Sequence, residues 1–174
     1  RERAAMADAL ERLAAFKDEG NVHYKAGELK DAIASYSKGV ALLPDAEDSE
    51  DEGPPVELDP AMRKQGAIVL CNRAAAYMAD SKPIPALADA QRASDVDPSN
   101  WKAHWRVGLA LMMMKPRLER SEQAVAAFER ARQCEALPAG EVENVEQGIA
   151  RAKYRLKEGQ DALDMPDMSN CVIA

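Results

Sequence analysis

The feature that most constrains this 174-residue chain is a layout of small residues that recurs with a period of about 34. The segment Leu13–Pro44, LAAFKDEGNVHYKAGELKDAIASYSKGVALLP, sets Gly20 mid-way along one helical pattern and Gly27 at a turn, then Ala32, Tyr36, Gly39 and Pro44 along the next. Ala67–Pro98 repeats it with Ala74, Tyr77, Ala86, Ala90, Ala93 and Pro98. A third copy starts at Trp101, with Gly108 and Leu111, then Ala124, Phe128 and Ala131. Its internal turn is longer, around Lys115–Gln123, and Ala136 stands where a proline would close the unit.

Such a layout has a physical purpose. Two antiparallel helices interlock closely only where one lacks a side chain and so admits a large one from the other. Each pair leaves an apolar face open, so a neighbour must stack on it, and the result is a solenoid. Pro138 can open a capping helix, and Val142, Val145, Ile149, Ala152, Tyr154 and Leu156 give it an apolar stripe running to about Leu163. Glu143, Glu146, Gln147, Lys153 and Lys157 supply its wet side. The expected fold class is all-α: a right-handed solenoid of three helix-turn-helix repeats plus a C-terminal capping helix. Residues 1–12 extend the first helix, the repeats span 13–44, 67–98 and 101–136, the cap spans 138–163, and 164–174 form a flexible tail. Pro83 and Pro85 fit only the first turn of the second repeat's second helix, where amide donors are not needed.

Charge is concentrated in one place. Residues 45–59 carry Asp45, Glu47, Asp48, Glu50, Asp51, Glu52, Glu57 and Asp59 with no basic residue, a local charge of −8 within a total of −7, so the rest carries +1. The run DAEDSEDEGPP is too acidic and proline-rich to fold and is expected to be a mobile surface loop. Ser49, followed by three acidic residues, matches an acidophilic kinase site. The acidic total argues against nucleic acid. No apolar run reaches the 18–20 or so residues that span a bilayer, and no secretory pattern opens the chain. Cys71, Cys134 and Cys171 are widely spaced and form no metal pattern, so reduced thiols in a cytoplasmic protein are expected. The chain begins with Arg1 rather than methionine, which points to a segment removed upstream.

In a solenoid of helix pairs the first helix of each pair lines the concave face. Lys17 and Asn21 are four apart and share a helix face; Lys102 and Arg106 repeat that spacing, and Asn72 lies at the homologous level between them. Two lysines, an arginine and two asparagines on one groove offer donors with almost no competing acceptor charge. A C-terminal aspartate, which presents two carboxylates close together, suits them.

The motifs FKDEGN at Phe16–Asn21, CNRAAAY at Cys71–Tyr77 and WKAHWR at Trp101–Arg106 resemble the tetratricopeptide-repeat (TPR) family over about residues 10–160. Within it they resemble the carboxylate-clamp co-chaperones, such as the stress-inducible organising protein and the repeat-bearing immunophilins and phosphatase. The resemblance implies that Lys17, Asn21, Asn72 and Lys102 hold a peptide's terminal carboxylate and aspartate side chain, with Arg106 beside them. It implies as partner the Glu-Glu-Val-Asp tail of heat-shock protein 90 or 70. Members that prefer the 70-class tail often carry a lysine where this chain has Ala79, which leans the reading toward heat-shock protein 90. Ala75, Met78, Trp105 and Met112 are candidate walls for the preceding ligand residues, with packing between helices as the competing reading.

His23 and His104 have no acidic or cysteine partner nearby in sequence and read as packing or surface residues. No nucleophile elbow, phosphate loop, metal motif or catalytic carboxylate pair is present, so the expectation is a monomeric adaptor with no catalytic residue, metal or cofactor. Cys171-Val172-Ile173-Ala174 fits the prenylation signal if Ala174 is the native end, which would add partial, reversible membrane attachment. Two alternatives stay open: the TPR portion of a larger immunophilin- or phosphatase-type enzyme, and a prenylated membrane-surface adaptor.

Overall fold

The computed structural model describes residues 2–44 and 59–164. They form seven α-helices, here α1 (Glu2–Ala26), α2 (Leu29–Val40), α3 (Pro60–Ala79), α4 (Pro83–Val96), α5 (Trp101–Met113), α6 (Leu118–Gln133) and α7 (Val142–Asp164), with a 3-10 turn at Ala139–Glu141 leading into the last. The chain is all-helical across the described residues, as its repeat requires. Ser49 and the rest of residues 45–58, and residues 165–174 with Cys171, lie outside the described residues.

Local chemistry explains the ends of these helices. Gly27, at φ 79, takes the left-handed conformation that lets α1 turn sharply into α2. Asp59, grouped by sequence with the acidic run, instead caps α3: its carboxylate accepts the amide N–H of Ala61 at 2.8 Å and of Met62 at 3.4 Å, with Pro60 following it. That cap starts α3 about two turns ahead of Ala67. Pro83 and Pro85 sit in the first turn of α4, where ring and missing donor do no harm. Asn100 caps α5 by accepting the N–H of Lys102 at 3.1 Å, which fixes the backbone that carries a candidate site residue.

Each pair packs within itself, α1 on α2, α3 on α4 and α5 on α6, while α7 covers α6. The first helices also touch in series, α1 to α3, α3 to α5 and α5 to α7, whereas the backbones of α2, α4 and α6 do not approach one another among the described residues. The odd-numbered helices are therefore crowded and the even-numbered ones splayed, which makes the odd-numbered side the inner face of the curve.

The small residues do the work expected of them. A Cβ on Gly20 would overlap the ring of Tyr36, and one on Gly108 would overlap Phe128. The middle repeat fills the same level with Ala74 and Ala90, both fully buried. Gly148 of α7 plays the same part for Trp105, whose indole would meet its Cβ at 2.7 Å. The apolar stripe of α7 is Val145, Ile149 and Ala152, all buried; Tyr154 departs from the expected stripe and is 66% exposed. A helix rotates 100° per residue, so Tyr154 falls two positions past Ala152 on the outer side and donates its hydroxyl to Glu158. No described helix is long and apolar enough to cross a membrane.

Candidate functional site: a groove on the inner helices

Lys17 and Asn21 stand one turn apart on α1, both half-buried. Lys17 Nζ lies 3.6 Å from the exposed Asp18 carboxylate. Asn21 is more tightly held. Its Oδ1 accepts the Tyr36 hydroxyl of α2 at 2.8 Å and Nδ2 of Asn72 from α3 at 3.1 Å. Three helices thus meet at a single side-chain oxygen, and the two asparagines, 51 positions apart in sequence, touch.

The α5 donors approach the same place from the other side. Lys102 is exposed, with Nζ 5.7 Å from the ring centroid of Trp101. Arg106 is half-buried, and its charge acts on the thiol of Cys71, the residue before Asn72. Burial pushes that thiol up to about 11, against the opposing pull of the Arg106 and Lys102 charges. Burial likewise raises the Tyr36 hydroxyl, with Tyr24 adding to the rise and Arg106 opposing it. Through Cys71 and Tyr36, the α5 charges act on the neighbourhood of the Asn21–Tyr36–Asn72 node. Lys17 shares a face with Asn21 but its own ion pair is with Asp18.

Beside the donors lies a cavity of about 670 Å³. Lys102 and Arg106 line it together with Ala75, Met78, Trp105 and Met112, so all four candidate walls fall on one surface. Ala79 lines it as well. Lys17, Asn21 and Asn72 do not line this cavity. Trp105 serves both readings offered for it, since its ring also stacks obliquely on Phe128 with centroids 4.9 Å apart. A second cavity of about 340 Å³ shares Trp105, Leu109, Met112 and Glu141 with the first and continues the apolar floor to Gln147 and Arg151 of α7.

Trp101 lines the larger cavity too, as do Tyr24, Leu109, Met113 and Glu141, four residues not singled out by sequence. Leu109 and Met113 were findable, being one and two turns beyond Trp105 on the same face of α5. Glu141 was not, because it reaches the groove from a 3-10 turn whose place is set by how α7 docks. Tyr36 was noted only as a packing residue, although its hydroxyl belongs to the site.

One sequence reading needs correction, that of His23. His23 does have an acidic partner: its Nδ1 lies 2.6 Å from Glu28 Oε2, because the Gly27 turn folds Glu28 back over the end of α1. That hydrogen bond raises the imidazole above its ordinary 6.5. Asp31 joins them in a solvent-facing group whose ligand atoms lie within 4.8 Å of one another. His104 is tied to the backbone, its Nε2 2.9 Å from the Pro98 carbonyl.

This architecture, helix pairs stacked with their first helices on an inner groove and glycines admitting aromatic rings between partners, is that of a tetratricopeptide-repeat domain. No family model matches the chain. The TPR domain of Sgt2 from Aspergillus fumigatus superposes with a TM-score of 0.64 at 26% identity, over 93% of this chain and 91% of that one. The first TPR domain of Spaghetti (RPAP3), bound to the HSP90 peptide SRMEEVD, gives 0.56 at 23% identity, over 89% and 95%. The second TPR domain of human RPAP3, in complex with the HSP70 peptide SGPTIEEVD, gives 0.60 at 24%, over 83% and 98%. Among curated proteins, the chain is 28% identical over 146 residues to small glutamine-rich tetratricopeptide repeat-containing protein 2 of Mycosarcoma maydis, 84% of this chain and 34% of that protein. It is 33% identical over 90 residues to unc-45 homolog B of Xenopus tropicalis, 52% of this chain and 8% of that protein.

Proposed function

We propose that the inner groove binds the acidic C-terminus of a partner protein, with Lys17, Asn21, Asn72, Lys102 and Arg106 holding the terminal carboxylate and the aspartate side chain. The observation that carries this reading is the contact of Asn21 of α1 with Asn72 of α3, beside an apolar cavity that α3 walls together with Lys102 and Arg106 of α5. The terminal residue would supply the anions, and the preceding apolar side chain would lie on Met78, Trp105 and Met112. Neighbouring folds bound to peptides ending in EEVD support a chaperone-tail adaptor, and Ala79 in the groove favours the heat-shock protein 90 tail over the 70-class tail. Charge-assisted hydrogen bonds contribute about 1.5–3 kcal/mol each. After ordering costs, a short peptide should bind near micromolar, about −8 kcal/mol.

Titration calorimetry with SRMEEVD and SGPTIEEVD, each as free acid and as C-terminal amide, tests it. The acids should bind, SRMEEVD the more tightly, and the amides should bind far more weakly. Lys102→Ala should lower acid affinity at least about tenfold, the equivalent of one charge-assisted contact, with thermal stability unchanged. Rising salt should weaken binding because the groove is open to solvent. Equal affinities for acid and amide would replace the clamp with an internal-peptide groove.

A further inference from the structure

We propose that Tyr36, which lies on α2 behind the groove, is a positioning residue that fixes the polarity of the Asn21 amide and so makes the site select an anionic over a neutral chain end. The inference rests on the clamp reading and adds to it the group that sets its charge preference.

An asparagine side chain has a donor end and an acceptor end of nearly the same shape, and which end faces a ligand is decided by its other partners. Asn21 Oδ1 receives two hydrogen bonds, from Tyr36 Oη at 2.8 Å and from Asn72 Nδ2 at 3.1 Å. With both lone-pair directions occupied, its Nδ2 is left to donate to a ligand. The opposite arrangement is conceivable: both amides could turn over, Asn21 then donating to Tyr36 Oη and to Asn72 Oδ1. It would present Asn21's carbonyl oxygen to the ligand and would strand the phenolic hydrogen. Tyr36 is 1% exposed, and Asn21 Oδ1 is its hydrogen-bond partner among the described residues, so the stranded O–H would have neither water nor acceptor. A hydroxyl that must donate, buried beside an amide that can turn, acts as the orienting group.

The setting holds the hydroxyl in place. The Tyr36 ring fills the space left by Gly20, one residue before Asn21 on the same helix, so ring and amide are in register through the backbone. The phenol is also kept protonated, and therefore a donor, because burial raises it despite the nearby Arg106.

Tyr36→Phe keeps the ring against Gly20 and removes only the O–H. The expected result is a fall of about tenfold in the ratio of acid to amide affinity for SRMEEVD, with the amide form binding better than it does to the wild type. Thermal unfolding checks that the variant folds, and a ratio measured on one folded protein is insensitive to general loosening. In an Asn21→Ala background the same change should leave the ratio unaltered, since no amide remains to orient. If the wild type itself fails to distinguish acid from amide, the clamp reading fails. If the wild type distinguishes them and Tyr36→Phe does so equally well, or shifts the ratio also without Asn21, the role given to Tyr36 is overturned and the clamp stands. Should Tyr36→Phe not fold, NMR of the 15N-labelled wild type decides instead: the Asn21 side-chain Nδ2–H resonances must shift when free-acid SRMEEVD binds, because Tyr36 aims that end of the amide at the ligand, and resonances that do not move would overturn the proposal.

Discussion

The two ends of this domain solve one problem with different partners. Each buries or half-buries an arginine beneath the inner helices. In the first core, built from residues such as Leu13, Tyr36, Val69 and Leu70, Arg73 of α3 forms a two-pronged pair with Asp89 of α4, both distances 2.7 Å, and donates to Ser37 of α2 at 3.1 Å. In the second, around Trp101, Phe128 and Val145, Arg155 of α7 meets no carboxylate among the described residues. It donates to the Met112 carbonyl at 2.8 Å, the Leu111 carbonyl at 3.4 Å and Ser121 Oγ at 3.2 Å. Burial lowers the affinity of both guanidinium groups for their proton; Asp89 more than restores it at Arg73, while Arg120 depresses it further at Arg155. The first core therefore depends on a charge–charge match, the second on the negative end of a helix, since α5 stops at Met113, where the Met112 carbonyl turns to Arg155 and the Leu111 carbonyl is shared between Arg155 and the Met114 N–H. The lesson is that a buried charge needs satisfaction of its donors, which a carboxylate and a helix terminus both supply, but only the carboxylate becomes a liability when its partner is removed.

That difference predicts unequal damage. Arg73→Ala should lower stability by about 3–5 kcal/mol, because Asp89, 5% exposed, is left charged and unpaired. Arg73→Met combined with Asp89→Leu should recover most of the loss. Denaturant unfolding of the single and double variants decides it; a double variant no better than Arg73→Ala would show that the pair matters for shape rather than charge.

Arg155→Ala should cost less, about 1.5–3 kcal/mol, since the carbonyls it leaves are neutral and lie near the end of α5, where water can replace it. If it proved as damaging as Arg73→Ala, the contrast between the two cores would collapse. Gly20→Ala and Gly108→Ala test whether the cores are equally tight. Each forces a methyl into an aromatic ring and should cost about 1–3 kcal/mol.

The cysteines report on the two cores without altering either. Cys71 is 2% exposed and its thiol is pushed up to about 11, whereas Cys134, in the second core, is partly exposed. At neutral pH, mass spectrometry should show alkylation of Cys134 well before Cys71, and Cys71 should react only as the first core opens. Early labelling of Cys71 would mean that core breathes more than its packing implies. The smallest effect belongs to the His23–Glu28 pair at the α1–α2 turn. Its hydrogen bond raises His23 in the folded state, so whatever it contributes is fully present below the ordinary 6.5 and disappears as pH climbs through the raised value. An NMR titration should find His23 above 6.5 in the wild type and nearer to it in Glu28→Gln.

Much of this was readable in the chain. The spacing of Gly20, Gly108, Tyr36 and Phe128 encodes helix pairing, because a missing side chain and a bulky ring one helix away are complementary in one dimension. Lys17 with Asn21, and Lys102 with Arg106, share a helix face by four-residue spacing, and their place on the first helix of a pair assigns them to the inner side. The Arg73–Asp89 pair was not readable, since both residues look like ordinary surface charges until α4 folds back on α3. Asp59 was misleading for a related reason: a helix cap at the end of an acidic run has no composition of its own.

What the sequence determined by itself was periodic: three helix pairs and a cap, and the candidate donors set along the first helix of each pair. Only the tertiary structure decided how those donors are aimed. Asn21, Tyr36 and Asn72 come from three helices, and their shared oxygen exists only where α1, α2 and α3 converge. Glu141 enters the groove, Tyr154 leaves the core, and Arg155 finds the end of α5 for the same reason. Spacing along one helix fixes direction around its axis, but the meeting of side chains from different helices depends on how far apart and at what angle those helices pack.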